Sequence, residues 1–281
     1  MTDHIGALRA LLHGPALVRA PGAFDGISAH LVRQAGFPAV YFTGAGVATS
    51  GFGLPDIGLV TATEMVERLA VVVEASDLPV IADADTGYGN AMHAARTVRA
   101  YERAGAAAIQ LEDQAFPKRC GHLTGKELID ADQFISVLRA AQDARRSDLV
   151  LIARTDARGP EDIDTAIERA QRYAAAGADL VFVEAPETIA EIERVAAEID
   201  APLVFNVVPG GRTPSIEDKE LDRLGFRLAI YPAATLLPST AAMADALTRL
   251  GGRTVAEPSG PRDLFELVGL GAWTELADRY R

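Results

Sequence analysis

The chain has 281 residues, of which 39 are acidic and 27 basic, so its formal net charge at pH 7 is −12. This excess of acids argues against nucleic acid or an anionic membrane as a partner, because both select basic surfaces. The apolar fraction of 49% is enough for a large core in a soluble domain. No apolar run reaches the ~18 residues of a membrane span, and a single cysteine excludes an internal disulfide. We therefore expect a cytoplasmic protein.

Strands and helices alternate along the chain, beginning with a helix predicted over residues 1–14. Eight short apolar runs predict strands that are covered on both faces; they lie at 16–25, 39–44, 79–85, 108–113, 149–155, 180–185, 202–208 and 227–232. Stretches rich in Ala, Glu and Arg predict helices between them, for example at 61–76, 90–105 and 160–177. A glycine that ends a helix follows several of these stretches: Gly36, Gly105 and Gly177.

Eightfold alternation of strand and helix predicts an α/β fold, a parallel sheet closed into a (β/α)₈ barrel over residues 1–256. A doubly wound open sheet is the alternative, but no G-x-G-x-x-G follows the first strand. Residues 257–262 (EPSGPR) predict a linker, and residues 263–281 an amphipathic helix. Because the alternation is complete before this helix, we expect it to pack on a second subunit. Capping of its own barrel is the alternative.

The carboxyl ends of parallel strands meet at one rim of such a barrel, and enzymes of this fold carry their chemistry there. Asp83 and Asp85 are two residues apart, so on a strand both side chains point to the same face. Two neighbouring carboxylates repel one another unless a cation lies between them. Together with Glu112, at the end of the next strand, they form a set of oxygen ligands, which favours Mg²⁺ or Mn²⁺ over zinc.

A second group of rim residues suits an anionic substrate. Arg154 follows an apolar strand, and a guanidinium can hold a carboxylate through two parallel hydrogen bonds. An ion pair of Arg154 with Glu184 or Asp156 is the alternative, and both interpretations can hold together. Residues 43–46 (TGAG) offer exposed main-chain N–H groups that suit a carboxylate or an oxyanion.

The one cysteine, Cys120, lies in the segment PKRCGH at residues 117–122. Lys118 and His122 lie close to it in the chain, and such cations lower the pKa of a thiol by favouring the thiolate. Gly121 predicts a loop that can move over the barrel rim. We interpret the thiol as a proton donor to a carbanion. Nucleophilic attack on an acyl group is the alternative, but no CoA-binding or acyl-carrier feature accompanies it.

Several segments together resemble the isocitrate lyase/phosphoenolpyruvate mutase superfamily over residues 15–250. They are GLPD (53–56), IADADTGYG (81–89), LEDQ (111–114), KRCGH (118–122) and ARTDA (153–157). The pentapeptide KRCGH is the most specific of them and resembles the lyase branch, which includes 2-methylisocitrate and 2,3-dimethylmalate lyases. The resemblance implies a homotetramer that acts on a small carboxylic acid.

The resemblance also implies the composition of the active site. Mg²⁺ would be bound mainly by Asp85, with further carboxylates holding it through water: Asp56, Asp83 and Glu112. An α-hydroxy or α-keto acid would contact Tyr41, Thr43, Gly44, Ala45, Asp83 and Gly121, with Arg154 on its carboxylate. Cys120 would protonate the departing enolate, and Lys118 and His122 would tune the developing charge. Glu184 and Asn206 would complete the polar wall.

Departures from the family pattern narrow the expected substrate. Thr43 stands where serine is usual, and the segment NVVPGGRTP (206–214) replaces a serine-bearing run of isocitrate lyases. Val207, Val208 and Pro209 have no hydroxyl for a distal carboxylate, so isocitrate is not the expected substrate. We expect a Mg²⁺-dependent carbon–carbon lyase for 2-methylisocitrate or an alkyl-substituted malate, with Tyr41 assisting loss of the hydroxyl proton. Oxaloacetate hydrolysis or decarboxylation, phosphonate P–C chemistry, a phosphorylated substrate held by PGGRTP, and a non-enzymatic binding protein are the alternatives.

Overall fold

The computed structural model describes residues 3–280, and eight parallel strands in chain order close into a barrel. The strands are β1 Val18–Ala23, β2 Val40–Phe42, β3 Val80–Asp83, β4 Ala108–Glu112, β5 Val150–Thr155, β6 Leu180–Val183, β7 Leu203–Asn206 and β8 Leu228–Tyr231. β8 pairs with β1, with Val18 opposite Leu228 and Pro21 opposite Tyr231, and this pairing closes the sheet. The predicted barrel is therefore confirmed, and the open sheet is excluded.

Helices surround the strands and extend beyond them at both ends of the chain. They are α1 His4–His13, α2 Gly26–Gln34, α3 Gly44–Phe52, α4 Ala62–Ser76, α5 Ala91–Ala104, α6 Ala131–Ala144, α7 Ile163–Ala175, α8 Ile189–Glu198, α9 Asp218–Leu224, α10 Leu236–Arg249, α11 Pro261–Leu267 and α12 Leu270–Arg279. Between residues 3 and 280, no helix is both long and apolar enough to cross a membrane. The predicted elements at residues 1–2 and 281 lie outside the described part of the chain.

The barrel interior has an apolar lower part and a polar upper part. At the amino-terminal end, the fully buried Leu8 of α1 packs against Val18, Leu228 and other inward-facing strand residues, so α1 closes this end of the barrel. Side chains two residues apart on a strand point the same way. Towards the carboxyl ends, the inward positions therefore pass from Ile81 to Asp83 and from Ile152 to Arg154. Polar chemistry is thus collected at the rim.

The carboxyl-terminal segment differs from the single helix predicted over residues 263–281. Gly269 adopts a left-handed conformation with φ of 85° and separates α11 from α12. Leu264, Phe265 and Leu270 are buried in the core of their own chain. α11 therefore packs on its own barrel, and packing of the carboxyl-terminal segment on a second subunit stays a prediction.

Candidate active site

A cavity at the carboxyl-terminal rim collects most of the predicted site residues. It opens to solvent at the rim of the barrel, and its empty space together with the solvent in its mouth amounts to about 630 Å³. The predicted residues in its lining come from the strand ends, from α3 and the segment after it, and from the cysteine loop: Tyr41, Thr43, Ala45, Asp56, Asp83, Lys118, Cys120, Gly121, His122, Arg154, Glu184 and Asn206. Of the predicted residues, Gly44, Asp85 and Glu112 lie immediately behind this lining.

Four carboxylates converge beside the cavity, and an ammonium group lies among them. Lys118 Nζ is 2.5 Å from Asp56 Oδ1 and 2.8 Å from Asp85 Oδ1. Burial alone would lower the pKa of Lys118, but Asp56 and Asp85 raise it well above its ordinary value. Lys118 is therefore a permanent cation. It partly neutralises the four carboxylates, for which the sequence analysis had expected only a metal ion as the counter-charge.

The backbone conformation that places Asp85 in this cluster differs from the predicted one. β3 ends at Asp83, and Asp85 has a left-handed backbone with φ of 48°, so the expected sharing of one strand face is wrong. The turn is held by the Asp85 N–H, which donates to Asp83 Oδ1 at 3.2 Å, and by the Glu112 N–H, which donates to Asp85 O at 2.9 Å. The Asp83 and Asp85 carboxylates lie close together because the main chain turns after Asp83, and not because both side chains point to the same face of a strand.

The electrostatics of the cluster fit an added cation. Burial, with Asp83 and Asp56 nearby, raises the pKa of Asp85 to about 7 against the opposing effect of Lys118. Burial likewise raises the pKa of Glu112 well above its ordinary value. Asp85 Oδ1 faces Lys118 without hydrogen-bond geometry and has no hydrogen-bond partner. These are signs of negative charge that the described residues do not fully compensate.

Within residues 3–280, no three acidic, histidine or cysteine side chains form a ready-made ligand set for a metal. The donor set therefore fits a cation that takes one or two carboxylates directly and keeps several waters, as Mg²⁺ does. Such a cation would reduce the mutual repulsion of the acids, which contributes to the raised pKa values.

Residues 43–46, which the sequence predicts to offer main-chain N–H groups, form the N-cap and the first turn of α3. Thr43 is the N-cap, and its Oγ1 accepts a hydrogen bond from the Gly46 N–H at 3.2 Å. A Cβ at Gly44 would lie 2.8 Å from Asp83 Oδ2, so only glycine allows the helix to begin this close to the cluster. The positive end of α3 therefore opens towards the cavity and suits an anionic group.

Arg154 is tied to a neighbouring carboxylate, as the alternative interpretation proposed. Its Nε donates to Asp156 Oδ2 at 2.8 Å and its Nη2 donates to Asp156 Oδ1 at 3.0 Å. Nη1 lies 3.4 Å from Glu112 Oε2, and the guanidinium also stacks over Phe182 at 5.2 Å. These contacts hold the guanidinium in place at the cavity wall, where it remains able to meet a substrate carboxylate.

The thiol of Cys120 lies at the cavity wall, and its environment corrects the expected pKa. Burial raises this pKa to about 12, with a contribution from Asp56 in the same direction, and Lys118 lowers it by less. The lowering expected from neighbouring cations is therefore wrong, because Lys118 directs its charge to Asp56 and Asp85. A thiol of this kind keeps its proton at neutral pH, which suits a proton donor better than a nucleophile.

His122, Glu184 and Asn206 form the polar wall on the far side of the thiol. His122 Nδ1 accepts from the Arg212 N–H at 3.2 Å, and burial lowers the pKa of the ring. His122 Nε2 lies 3.2 Å from Glu184 Oε1 without hydrogen-bond geometry. Asn206 Nδ2 donates to Glu184 Oε2 at 3.2 Å, while Asn206 Oδ1 is buried with no hydrogen-bond partner. The wall thus keeps polar atoms available for a ligand.

Tyr41 is buried and lines the cavity, and its predicted part in removing the hydroxyl proton of the substrate stays a prediction. Its hydroxyl donates to Gln110 Oε1 at 3.3 Å. Burial and Asp83 raise the pKa of Tyr41 well above its ordinary value. The phenol therefore keeps its proton at neutral pH.

Comparison with known proteins agrees with this geometry. The family model for phosphoenolpyruvate phosphomutase matches residues 8–250. The chain is 48% identical over 244 residues to 2,3-dimethylmalate lyase of Eubacterium barkeri, covering 86% of this chain and 84% of that protein. It is 42% identical over 231 residues to 2-methylisocitrate lyase of Bacillus subtilis (strain 168), covering 82% and 76% respectively.

The chain belongs to the phosphoenolpyruvate mutase/isocitrate lyase superfamily. It is an enzyme of the lyase branch, close to the 2-methylisocitrate and 2,3-dimethylmalate lyases. An oxaloacetate acetylhydrolase, solved with 3,3-difluorooxalacetate, superposes with a TM-score of 0.87 at 36% identity, covering 99% of this chain and 97% of that one. A phosphonopyruvate hydrolase solved with oxalate and Mg²⁺ superposes with a TM-score of 0.78 at 29% identity, covering 99% of each chain.

The sequence analysis did not identify every residue of the candidate active site. Gln110 is the inward position two residues before Glu112, so counting back along β4 would have found it. Lys126 is buried on the cysteine loop and contacts Asp156, and no spacing rule joins these two positions.

The other side of the cavity is apolar, and sequence reasoning did not assign it to the site. It is lined by residues that follow β7 and β8 and by residues of α10 and α11: Val208, Pro232, Ala233, Leu236, Leu237, Pro261, Leu264 and Phe265. The segment PGGRTP does not form an open phosphate cradle. A Cβ at Gly210 would clash with Ser259 O, and one at Gly211 would lie 2.8 Å from the His122 ring. These glycines serve close packing.

Proposed function

We propose that this enzyme is a Mg²⁺-dependent lyase that cleaves a carbon–carbon bond of an alkyl-substituted malate or a 2-methylisocitrate-type acid. One observation carries the proposal: the thiol of Cys120 lines a cavity whose other walls hold Arg154 and the buried carboxylates of Asp56 and Asp83. A proton donor, a carboxylate-binding cation and a site for a divalent ion are the three parts that this cleavage needs.

Arg154 and the first turn of α3 hold the substrate. The fixed guanidinium binds a carboxylate of the 2-hydroxy acid, and the main-chain N–H groups behind Thr43 stabilise a second oxygen by their partial positive charge. The unpartnered Asn206 Oδ1 accepts a hydrogen bond from the substrate. The Tyr41 hydroxyl donates its proton to Gln110 Oε1 and therefore presents an acceptor oxygen to the substrate hydroxyl.

Two proton transfers complete the reaction. The substrate hydroxyl loses its proton to an ionised carboxylate of the cluster, which later returns that proton to solvent. The electron pair of that O–H bond forms the carbonyl of an α-keto acid as the adjacent carbon–carbon bond breaks. The electrons of the broken bond become an enolate, and Cys120 Sγ–H protonates its carbon. The thiolate is then reprotonated from solvent.

The carboxylates around Lys118 are the residues that would hold Mg²⁺, with Asp85 directly and Asp56, Asp83 and Glu112 through water. The bound ion would supply charge stabilisation for the oxygen atoms of the hydroxy acid and of the keto acid. The pKa of Asp85 supports this assignment, because it is raised although Lys118 Nζ lies 2.8 Å from Asp85 Oδ1. The similar phosphonopyruvate hydrolase, which was solved with oxalate and Mg²⁺, supports a divalent ion at such a site.

The apolar side of the cavity favours an alkyl-bearing substrate. Leu264 and Phe265 are buried, and Leu236 and Val208 lie beside them. A second carboxylate placed against these side chains would lose its hydration without gaining a partner, whereas a methyl or ethyl group gains burial. Oxaloacetate chemistry is the second candidate, because the acetylhydrolase structure superposes closely. Phosphonate chemistry makes no use of the Cys120 thiol.

A substrate panel tests the proposal. Release of an α-keto acid, coupled to a dehydrogenase, is measured for 2,3-dimethylmalate, other alkyl malates and 2-methylisocitrate, and oxalate formation is measured for oxaloacetate. We expect keto-acid release from an alkyl-substituted acid, loss of activity in EDTA and recovery on adding Mg²⁺. Oxalate and acetate as the sole products would favour the second candidate. Full activity in EDTA would refute the metal assignment.

We also propose that the enzyme is a homo-oligomer. α10 follows β8, but it makes only sparse contacts with other described elements of its own chain. Its residues Met243 and Leu247 are mostly exposed, although they are large and apolar. A hollow lined by Leu31, Phe37 and Tyr231 remains on the barrel surface near β8 and β1. A second copy would bury these surfaces, which are unfavourable in water.

Substitutions in α10 test the oligomer. We expect the double variant Met243→Glu/Leu247→Glu to sediment as a smaller species than the wild type, because charges cannot be buried in an apolar interface. Met92→Glu is the matched control, since Met92 is also exposed but lies on α5. A double variant that keeps the wild-type sedimentation coefficient would contradict the proposal.

A further inference from the structure

Lysine is scarce in this chain, and its positions are unusual. Of the 27 basic residues, only three are lysines: Lys118, Lys126 and Lys219. Lys219 is not buried, but Lys118 and Lys126 are buried and belong to the same loop between β4 and α6. Lys118 is already explained by the carboxylate cluster. Lys126 touches none of the proposed metal ligands, and its burial requires another reason, because a buried ammonium is costly unless it is fully paired.

The ammonium of Lys126 joins the cysteine loop to the strand that carries Arg154. Lys126 Nζ donates to the main-chain oxygen of Gly121 at 2.7 Å and to Asp156 Oδ1 at 2.9 Å. Gly121 immediately follows Cys120. Asp156 is the first residue after β5, two residues beyond Arg154. One side chain therefore bridges the segment that holds the thiol and the segment that holds the guanidinium.

Asp156 is shared between the two cations. It accepts hydrogen bonds from Arg154 through both of its oxygen atoms, at 2.8 and 3.0 Å, as well as from Lys126. Burial alone would raise the pKa of Asp156, but Arg154 and Lys126 hold it well below its ordinary value. The carboxylate stays ionised, so the position of the loop and the orientation of the guanidinium depend on the same group.

The fit around Gly121 leaves little room for a displaced loop. A Cβ at Gly121 would clash with Arg154 Nη2 and with Glu184 Oε1, so the main chain packs directly on these two side chains. Gly159 gives space to the lysine itself, since a Cβ there would lie 2.9 Å from Lys126 Cε. A small ammonium with tetrahedrally arranged donors fits this space, whereas a planar guanidinium is larger and directs its donors differently.

We propose that Lys126 is a positioning residue that fastens the main chain at Gly121 to Asp156 and thereby holds the Cys120 thiol at a fixed place relative to Arg154. The role of the thiol as a proton donor rests on the proposed function. The placement of the loop by Lys126 does not depend on the proposed function. Lys126 acts through Gly121 and Asp156 and does not itself line the cavity.

The reactivity of the thiol tests this placement without any substrate. Because Cys120 is the only cysteine, the rate of modification by a thiol reagent reports on this loop alone. We expect Lys126→Met to be modified about tenfold faster than the wild type or more, since loss of one charge-assisted hydrogen bond shifts a local opening equilibrium by that order. Lys219→Met, on α9 and away from the loop, is the matched control and should react at the wild-type rate.

Turnover gives a second readout. In Lys126→Met we expect kcat to fall at least about tenfold, with a smaller change in KM, because the misplaced thiol affects protonation more than binding. Thermal unfolding establishes that the variant is folded. If it is not, Lys126→Gln replaces it in both measurements, because its side chain is neutral and one bond shorter and so does not span from Gly121 O to Asp156. Wild-type thiol reactivity in a folded Lys126 variant would overturn the proposal. Faster thiol modification in an enzyme inactive on every hydroxy acid would leave the positioning intact and refute only the proposed function.

Discussion

Replacement of Cys120 by serine is expected to lower kcat by roughly 10²–10⁴, the usual contribution of a positioned general acid. Serine preserves the size of the side chain, but its hydroxyl holds the proton much more tightly than a thiol. Burial already raises the pKa of the Cys120 thiol to about 12. A serine hydroxyl in the same place has a still higher pKa and is therefore a much weaker acid. Affinity for the keto-acid product should be unchanged, because Arg154 and α3 are untouched.

The measurements separate protonation from folding and binding. Steady-state rates with the best acid of the panel give kcat, and inhibition by the keto acid gives the affinity. Alkylation of the wild-type thiol by iodoacetamide should be slow at neutral pH, because the thiolate is the reactive form and the raised pKa keeps it scarce. Bound substrate should slow it further. A serine variant with the wild-type kcat would make Cys120 a structural residue and move oxaloacetate chemistry ahead.

Replacement of Asp85 by asparagine is expected to abolish Mg²⁺-dependent activity and leave the barrel folded. Asparagine tolerates the left-handed backbone at this position, with φ of 48°, better than alanine does. The pKa of Asp85 is raised to about 7 in the folded protein, above its unfolded value of about 4. Its ionised form therefore opposes folding above pH 7, and this cost disappears as the pH falls through the window between those two values.

Thermal unfolding checks the Asp85 prediction independently of activity. At pH 8 in EDTA, Asp85→Asn should unfold at the wild-type temperature or above, because the variant lacks the buried charge. Added Mg²⁺ should raise the midpoint of the wild type and leave that of the variant unchanged. Asp77→Asn is the matched control, since Asp77 has φ of 47° but lies exposed at the end of α4. Equal stabilisation of Asp85→Asn and wild type by Mg²⁺ would remove Asp85 from the metal site.

Local patterns in the sequence determined the fold of this protein. A strand covered on both faces must be apolar throughout, so each of the eight strands stands out in the sequence as a short apolar run. Glycines such as Gly105, with φ of 97°, end the helices because other residues resist that conformation. The predicted strands are longer than the observed ones because their polar ends already belong to the rim. β3, for example, stops at Asp83 and not at Asp85.

The sequence also determined which residues supply the chemistry, since the ends of parallel strands must meet at one rim. Asp83, Glu112, Arg154 and Glu184 follow their apolar runs directly, and the structure brings them together. The lone cysteine beside Lys118 could be recognised as a candidate acid from its neighbours in the chain. Gln110 could have been found by the same alternation and was overlooked.

Only the tertiary structure decided the charge state and the exact partners of these groups. The pKa of Cys120 is raised and not lowered because burial outweighs a cation that is directed elsewhere, and the sequence records neither distance nor burial. Lys126 meets Asp156 across 30 positions of chain, a contact that no local period specifies. α11 lies over the rim because Leu264 and Phe265 find apolar surface there. Such long-range contacts depend on how the whole barrel packs, which is why they became visible only in three dimensions.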